Sequence, residues 1–142
     1  MKNNIHNGLL IYKCADFMAA AVAWFLFFVL RKRSEISEIP VLEIIGDQKL
    51  YSGLILIPVF WLLLYHIFDK YKDLYRYSRL EVIKRTLVIS FFGSLILFFV
   101  VIVDDTIINN RTYLRSFTRL FFLHFLITSF VRMIILTNAA RR

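Results

Sequence analysis

Leu50-Tyr-Ser-Gly-Leu-Ile-Leu-Ile-Pro-Val-Phe-Trp-Leu-Leu-Leu-Tyr-His-Ile-Phe68 runs without one Asp, Glu, Lys or Arg. A helix rises about 1.5 Å per residue, so a run of this length matches a hydrocarbon core roughly 30 Å thick. Three more runs of the same kind lie at about 14–30, 86–103 and 117–136. They are apolar all round rather than on one stripe, which is how a helix reads when lipid is its solvent. The rest of the 142 residues is three short connections and two tails. The expected fold is an all-α membrane protein, a single domain over residues 1–142 with four transmembrane helices.

A hydrophobic content of 59% with only two prolines and four glycines leaves little for long loops. The net charge of +8 has a membrane explanation, because most basic residues lie where apolar runs end and phospholipid head groups begin. Nucleic acid is not an expected partner. The single cysteine, Cys14, excludes an intrachain disulfide and any cysteine-based metal site. Lys2 and Lys13 precede the first apolar run as in a signal peptide, but no small-residue cleavage site follows it, so the run is read as an uncleaved span.

Four spans place both termini on one side. With that side cytoplasmic, ten basic residues lie inside (Lys2, Lys13, those from Lys70 to Arg85, Arg141 and Arg142) and six outside (Arg31, Lys32, Arg33, Lys49, Arg111 and Arg115). The excess favours both termini in the cytoplasm. The cluster Arg31–Arg33 runs against it. In the outer connection Ser34–Lys49, Val41–Ile45 reads as a short extended or interfacial piece, and Asp47 as the N-cap of the second span. Pro58 should bend that span. The connection Asp104–Ser116 is polar and contains the sequon Asn110-Arg111-Thr112.

The inner connection is the least generic stretch. Tyr65, Tyr71, Tyr75 and Tyr77 read as an interfacial aromatic cluster, with Asp69–Lys72 and Asp73–Arg76 as helical neighbours that extend the second helix to about Tyr75. Ser78-Arg-Leu-Glu81 is a capping box, with a reciprocal bond expected from the Glu81 carboxylate, so the next helix should begin at about Arg79. Arg76, Arg79, Lys84 and Arg85 then form a basic surface suited to lipid phosphate or to docking a cytoplasmic domain. Within the spans, Asp16 and Arg132 come to similar depth and form a candidate ion pair, and His124, Thr128 and Arg132 share one helical face. Ala15, Ala19 and Ala23, and Ser90 with Ser94 and Gly93, are small-residue ridges for helix packing.

Three groups of residues carry a resemblance. The first is Asp16-Phe17, Ala19-Ala20 and Trp24-Phe-Leu-Phe-Phe28, closed by Arg31-Lys-Arg33. The second is Phe60-Trp-Leu-Leu-Leu-Tyr65, leading to Tyr71-Lys-Asp-Leu-Tyr-Arg-Tyr-Ser-Arg-Leu-Glu81. The third is Phe117, Leu120-Phe121, His124-Phe125, Thr128 and Arg132. Together they resemble the N-terminal membrane region of the large bacterial polyprenyl-phosphate glycosyl-phosphate transferases, which act on undecaprenyl phosphate and start capsule and exopolysaccharide synthesis. The resemblance implies a multi-pass protein of the bacterial inner membrane. It also implies four helices followed by a cytoplasmic nucleotide-binding-like domain and a catalytic domain with an acidic nucleophile motif and Mg²⁺. None of that soluble part is present, so no catalytic residue, metal ligand or cofactor is carried over. The chain is then a fragment, a truncated protein, or a partner of a separate catalytic domain.

The expected function is the anchoring module of a sugar-phosphate transferase, with membrane lipids, polyprenyl phosphate and a homo-oligomer among its partners. The alternatives are a small transporter or flippase for a lipid-linked sugar, and a non-catalytic membrane assembly protein. The charge count makes a direct prediction. In a Cys14→Ser background, cysteines at Glu38 and Asn109 should react with an impermeant thiol reagent in intact cells, and cysteines at Lys72 and Arg142 should not. Labelling at Lys72 would reject the cytoplasmic placement of the termini.

Overall fold

The computed structural model describes residues 2–36, 38–68, 78–102 and 110–140. They form α1 (Lys2–Glu35), α2 (Val41–Ile45), α3 (Gln48–Phe68), α4 (Arg79–Leu97) with a π-helical turn at Phe98–Ile102, and α5 (Asn110–Ala140). Among the described residues there is no strand. Four helices among the described residues are long and apolar enough to cross a membrane, over Gly8–Glu35, Gln48–Phe68, Arg79–Val100 and Tyr113–Asn138. This is a multi-pass membrane architecture.

The helices overrun the apolar stretches. α1 starts well before Cys14, and α5 starts at Asn110, so part of the expected polar connection Asp104–Ser116 is helical. Hydropathy marks where the solvent changes, whereas a helix continues as long as its backbone bonds are best made internally. Val41–Ile45 is a single helical turn rather than extended chain. α3 is continuous through Pro58. The inner connection at 69–77, including Arg76, Tyr71, Tyr75 and Tyr77, lies outside the described residues, as do the terminal arginines.

The termini of α3 and α4 follow from side-chain caps. The Asp47 carboxylate accepts from the Lys49 amide at 2.9 Å and caps α3. The Ser78 hydroxyl accepts from the Glu81 amide at 3.3 Å and caps α4. The Glu81 carboxylate turns forward to Arg85, Nε to Oε1 at 2.9 Å, rather than back along the expected capping box.

Contacts fix an up-down-up-down bundle. Asp16 meets Arg132, and Arg119 donates to the Leu30 carbonyl at 3.4 Å, so α1 and α5 are antiparallel neighbours. Lys32 meets Asp47 at 3.0 Å across α1 and α3. Trp61 abuts Gly93 across α3 and α4, and Phe98 meets Tyr113 across α4 and α5. The core is largely aromatic and small: Trp24, Phe27, Trp61, Tyr65, Ala19, Ala20 and Ala23 are buried. Outward-facing residues such as Met18, Leu56, Phe92 and Phe130 are exposed to the surrounding medium, as lipid-facing side chains are.

Two glycines decide how closely the helices approach. A Cβ on Gly53 would overlap the Trp24 indole, and one on Gly93 would overlap the Trp61 ring. Each tryptophan fills the space that a neighbouring helix leaves by lacking a side chain, the tight packing that membrane bundles depend on. Gly46, by contrast, would meet only backbone oxygens at 3.5 and 3.7 Å, an ordinary contact. Gly53→Ala and Gly93→Ala should therefore each cost about 1–3 kcal/mol by overpacking, while Gly46→Ala should leave stability unchanged. Thermal unfolding of the three variants in detergent checks this. Equal melting of all three would mean that the tryptophans do not set the helix spacing.

Candidate functional site

The most chemically distinctive place lies in the half of the bundle where α3 and α5 finish and α4 starts. Four-residue spacing puts His124, Thr128 and Arg132 on one face of α5, and all three are fully buried. A cation buried among apolar helices needs its charge and its donors answered within the protein. The structure brings Asp16 to it. Arg132 Nε lies 3.0 Å from Asp16 Oδ1 and Nη2 lies 2.9 Å from Oδ2, a two-pronged match of planar guanidinium to carboxylate. Asp16 is 1% exposed and Arg132 is 0% exposed, so water screens neither.

The remaining edge of the guanidinium reaches α4. Nη1 donates to the Thr86 hydroxyl at 3.0 Å, and that hydroxyl donates to the Val82 carbonyl at 2.7 Å. The guanidinium carbon also lies over two aromatic rings, 4.1 Å from the centre of Tyr65 and 5.3 Å from that of Tyr12. One side chain of α5 thus touches each of the other three spanning helices.

A second group of polar side chains continues from it. Tyr65 Oη and His124 Nε2 share a hydrogen bond of 2.7 Å, and the Thr128 hydroxyl lies 3.4 Å from the same nitrogen. The imidazole stacks on the Trp61 indole with ring centres 3.5 Å apart and planes 10° from parallel. Sequence reasoning placed Tyr65 in an interfacial cluster, and the structure corrects this, since Tyr65 is fully buried within the bundle. It also missed Trp61 and Thr86. The signal that could have found Tyr65 and Trp61 is their four-residue spacing, which puts both on one face of α3.

The basic residues are distributed differently. Arg79 and Lys84 are exposed on the first turns of α4, and Arg85 is half-buried against Glu81. Arg76 lies outside the described residues. Thr86, next to Arg85, points into the buried network, so α4 carries the basic rim outward and the network inward. At the opposite end, the Arg31–Arg33 cluster is partly answered. Arg31 bonds Glu35 at 3.0 Å and Lys32 bonds Asp47, while Arg33 is exposed. The Lys32 ammonium, then the Lys49 amide, hold the Asp47 carboxyl below its ordinary value.

Chemically the buried network is a clamp. Its carboxylate is engaged at both oxygens and the guanidinium along both edges. Among the described residues no three His, Cys, Asp or Glu side chains gather as a metal site requires. No family model, curated protein or solved structure matches the chain.

The clamp predicts strong coupling. Asp16→Asn or Arg132→Gln alone strands a buried charge, a loss of about 3–5 kcal/mol, whereas the double variant strands none. A double-mutant cycle on thermal stability in nanodiscs should therefore find the double variant no less stable than either single one, a coupling energy of about 3 kcal/mol or more. A coupling of zero would mean that the two charges do not hold each other in the membrane.

Proposed function

We propose that this chain is the membrane module of a polyprenyl-phosphate sugar-phosphate transferase of the bacterial inner membrane, with both termini in the cytoplasm. It would anchor and position chemistry carried out by a separate or following catalytic domain. The observation that carries the proposal is the arrangement at one end of the bundle. There the clamped end of α5 lies beside an α4 whose first turns expose Arg79 and Lys84. Basic side chains at that depth meet lipid phosphate, each worth about 1 kcal/mol of attraction to anionic lipid. The clamp in turn fixes the direction in which α5 leaves the bundle. The residue patterns resembling this transferase family, Trp61–Tyr65 and Ser78–Glu81 among them, fall on the elements that build this end.

A transporter is less well supported. Arg132 bonds Asp16 and Thr86, and Tyr65 bonds His124, across helices, rather than lining a broken helix at mid-depth, where transporters of known type hold their cargo.

The test is binding of undecaprenyl phosphate to the full chain in nanodiscs, with phosphatidylglycerol as competitor. Wild type should prefer undecaprenyl phosphate, and replacing Arg79, Lys84 and Arg85 together by Gln should weaken that binding at least fivefold. The chain alone should not transfer sugar phosphate from a nucleotide sugar. Absence of any preference over phosphatidylglycerol, or turnover lost on mutating a residue of this chain, would overturn the reading.

A further inference from the structure

At the opposite end, α1 and α3 are joined through α2, and a cleft of about 370 Å³ opens between them. Its walls are Ile36, Ile39 and Ile44, and its polar groups are Lys32, Glu43 and Asp47. We infer that this cleft binds the head group of a zwitterionic phospholipid with a primary ammonium, a phosphatidylethanolamine. Its ammonium would lie on Glu43 and its phosphate on Lys32. The inference is independent of the function proposed above.

Depth is the first argument. The span Gly8–Glu35 has 28 residues, about 42 Å of helix against a core of roughly 30 Å, so its ends stand among head groups. Lys32 and Asp47, at the ends of α1 and α3, therefore sit at the level of lipid phosphates and amines.

The rim is the second. Ile36, Val41, Leu42 and Ile45 are exposed on and beside a one-turn helix, Leu42 at 86%. In water such a group would be an unfavourable apolar patch, whereas at the boundary between head groups and acyl chains it lies in its own solvent.

Charge is the third. Lys32 and Asp47 are bonded to each other at 3.0 Å and cancel. Glu43 is exposed and engages no cation among the described residues, so of the carboxylates lining the cleft it is the one open to an incoming ammonium, while Asp47 is already answered by Lys32 and by the charge of Lys49. The Glu43 carboxylate attracts an ammonium and disfavours head groups of net negative charge, such as glycerol or serine phosphates. The Lys32 side chain is still one-third exposed, so an ammonium hydrogen remains open to a phosphate oxygen. A choline head group offers the same charge as ethanolamine but no N–H to donate to the carboxylate.

The experiment uses the delipidated full chain in dodecyl maltoside. It is titrated with palmitoyl-oleoyl phosphatidylethanolamine, phosphatidylcholine or phosphatidylglycerol, and with soluble phosphoethanolamine. Native mass spectrometry counts bound molecules and thermal unfolding reports stabilisation. Phosphatidylethanolamine should bind at least fivefold more tightly than either other lipid and raise the melting point. Glu43→Gln should abolish that preference, and Glu38→Gln, an exposed acid outside the cleft lining, should keep it. Glu43→Asp, one methylene shorter, should weaken it in part. Equal binding of the three lipids, a preference that survives Glu43→Gln, or one lost equally in Glu38→Gln would overturn the site. Phosphoethanolamine binding as tightly as the lipid would overturn the lipid as its ligand.

Discussion

A single guanidinium in a water-free interior governs this bundle. Arg132 has donors on two edges and a cation's charge, and in lipid none of these can be answered by solvent. The structure answers them from every other span. Asp16 and Tyr12 come from α1, Tyr65 from α3 and Thr86 from α4. Any rotation or slide of one helix would break a partner of the same charged group. The clamp is therefore a register device before it is a source of net stability, since a buried ion pair recovers little beyond what its desolvation costs.

Between the clamp and the opposite end, packing takes over from polarity. Apolar side chains gain little by leaving lipid for a protein interior, so helices associate where their surfaces approach closely. Trp24 over Gly53 and Trp61 beside Gly93 supply two such contacts. Trp61 belongs to both systems, since its other partner is the His124 imidazole stacked at 3.5 Å. At the far end, Arg119 on the Leu30 carbonyl and Lys32 on Asp47 close the same helix pairs a second time. Each of α3 and α5 is thereby pinned to α1 at two heights.

The four spans were legible because the bilayer imposes a length and a composition that few other solvents demand. Asp16 and Arg132 stood out for the same reason, as a charge within such a run is conspicuous. Tyr65 was misread for a physical cause. A helix apolar on every face gives no rotational phase, so a tyrosine near a span end looks the same whether it faces head groups or the bundle. Only the neighbouring helix decides, and here that is α5, through His124. The helix ends were misplaced because hydropathy reports the surrounding medium, not the hydrogen bonds that carry α1 back to Lys2 and α5 back to Asn110. The π-helical turn at Phe98–Ile102 has no motif. Within it, the Phe98 ring packs edge-on against Phe117 and Tyr113.

The division of labour among charged residues bears on what such a bundle can do. Asp16 and Arg132 satisfy each other with full burial, which leaves them unsuited to meeting a ligand. Among the described residues, charged groups open to the surroundings lie toward the two ends, with Arg79 and Lys84 on α4, and Arg33, Glu38 and Glu43 beside the turn between α1 and α3. A binding partner reaches these without entering the bundle. The interior holds geometry and the surfaces hold whatever recognition there is. A rigid interior serves such surfaces well, because a basic side chain is useful to a lipid phosphate only if its helix keeps a constant depth and rotation. Thr86 links the two roles within α4, bonded inward to Arg132 while the preceding Arg85 stays at the rim.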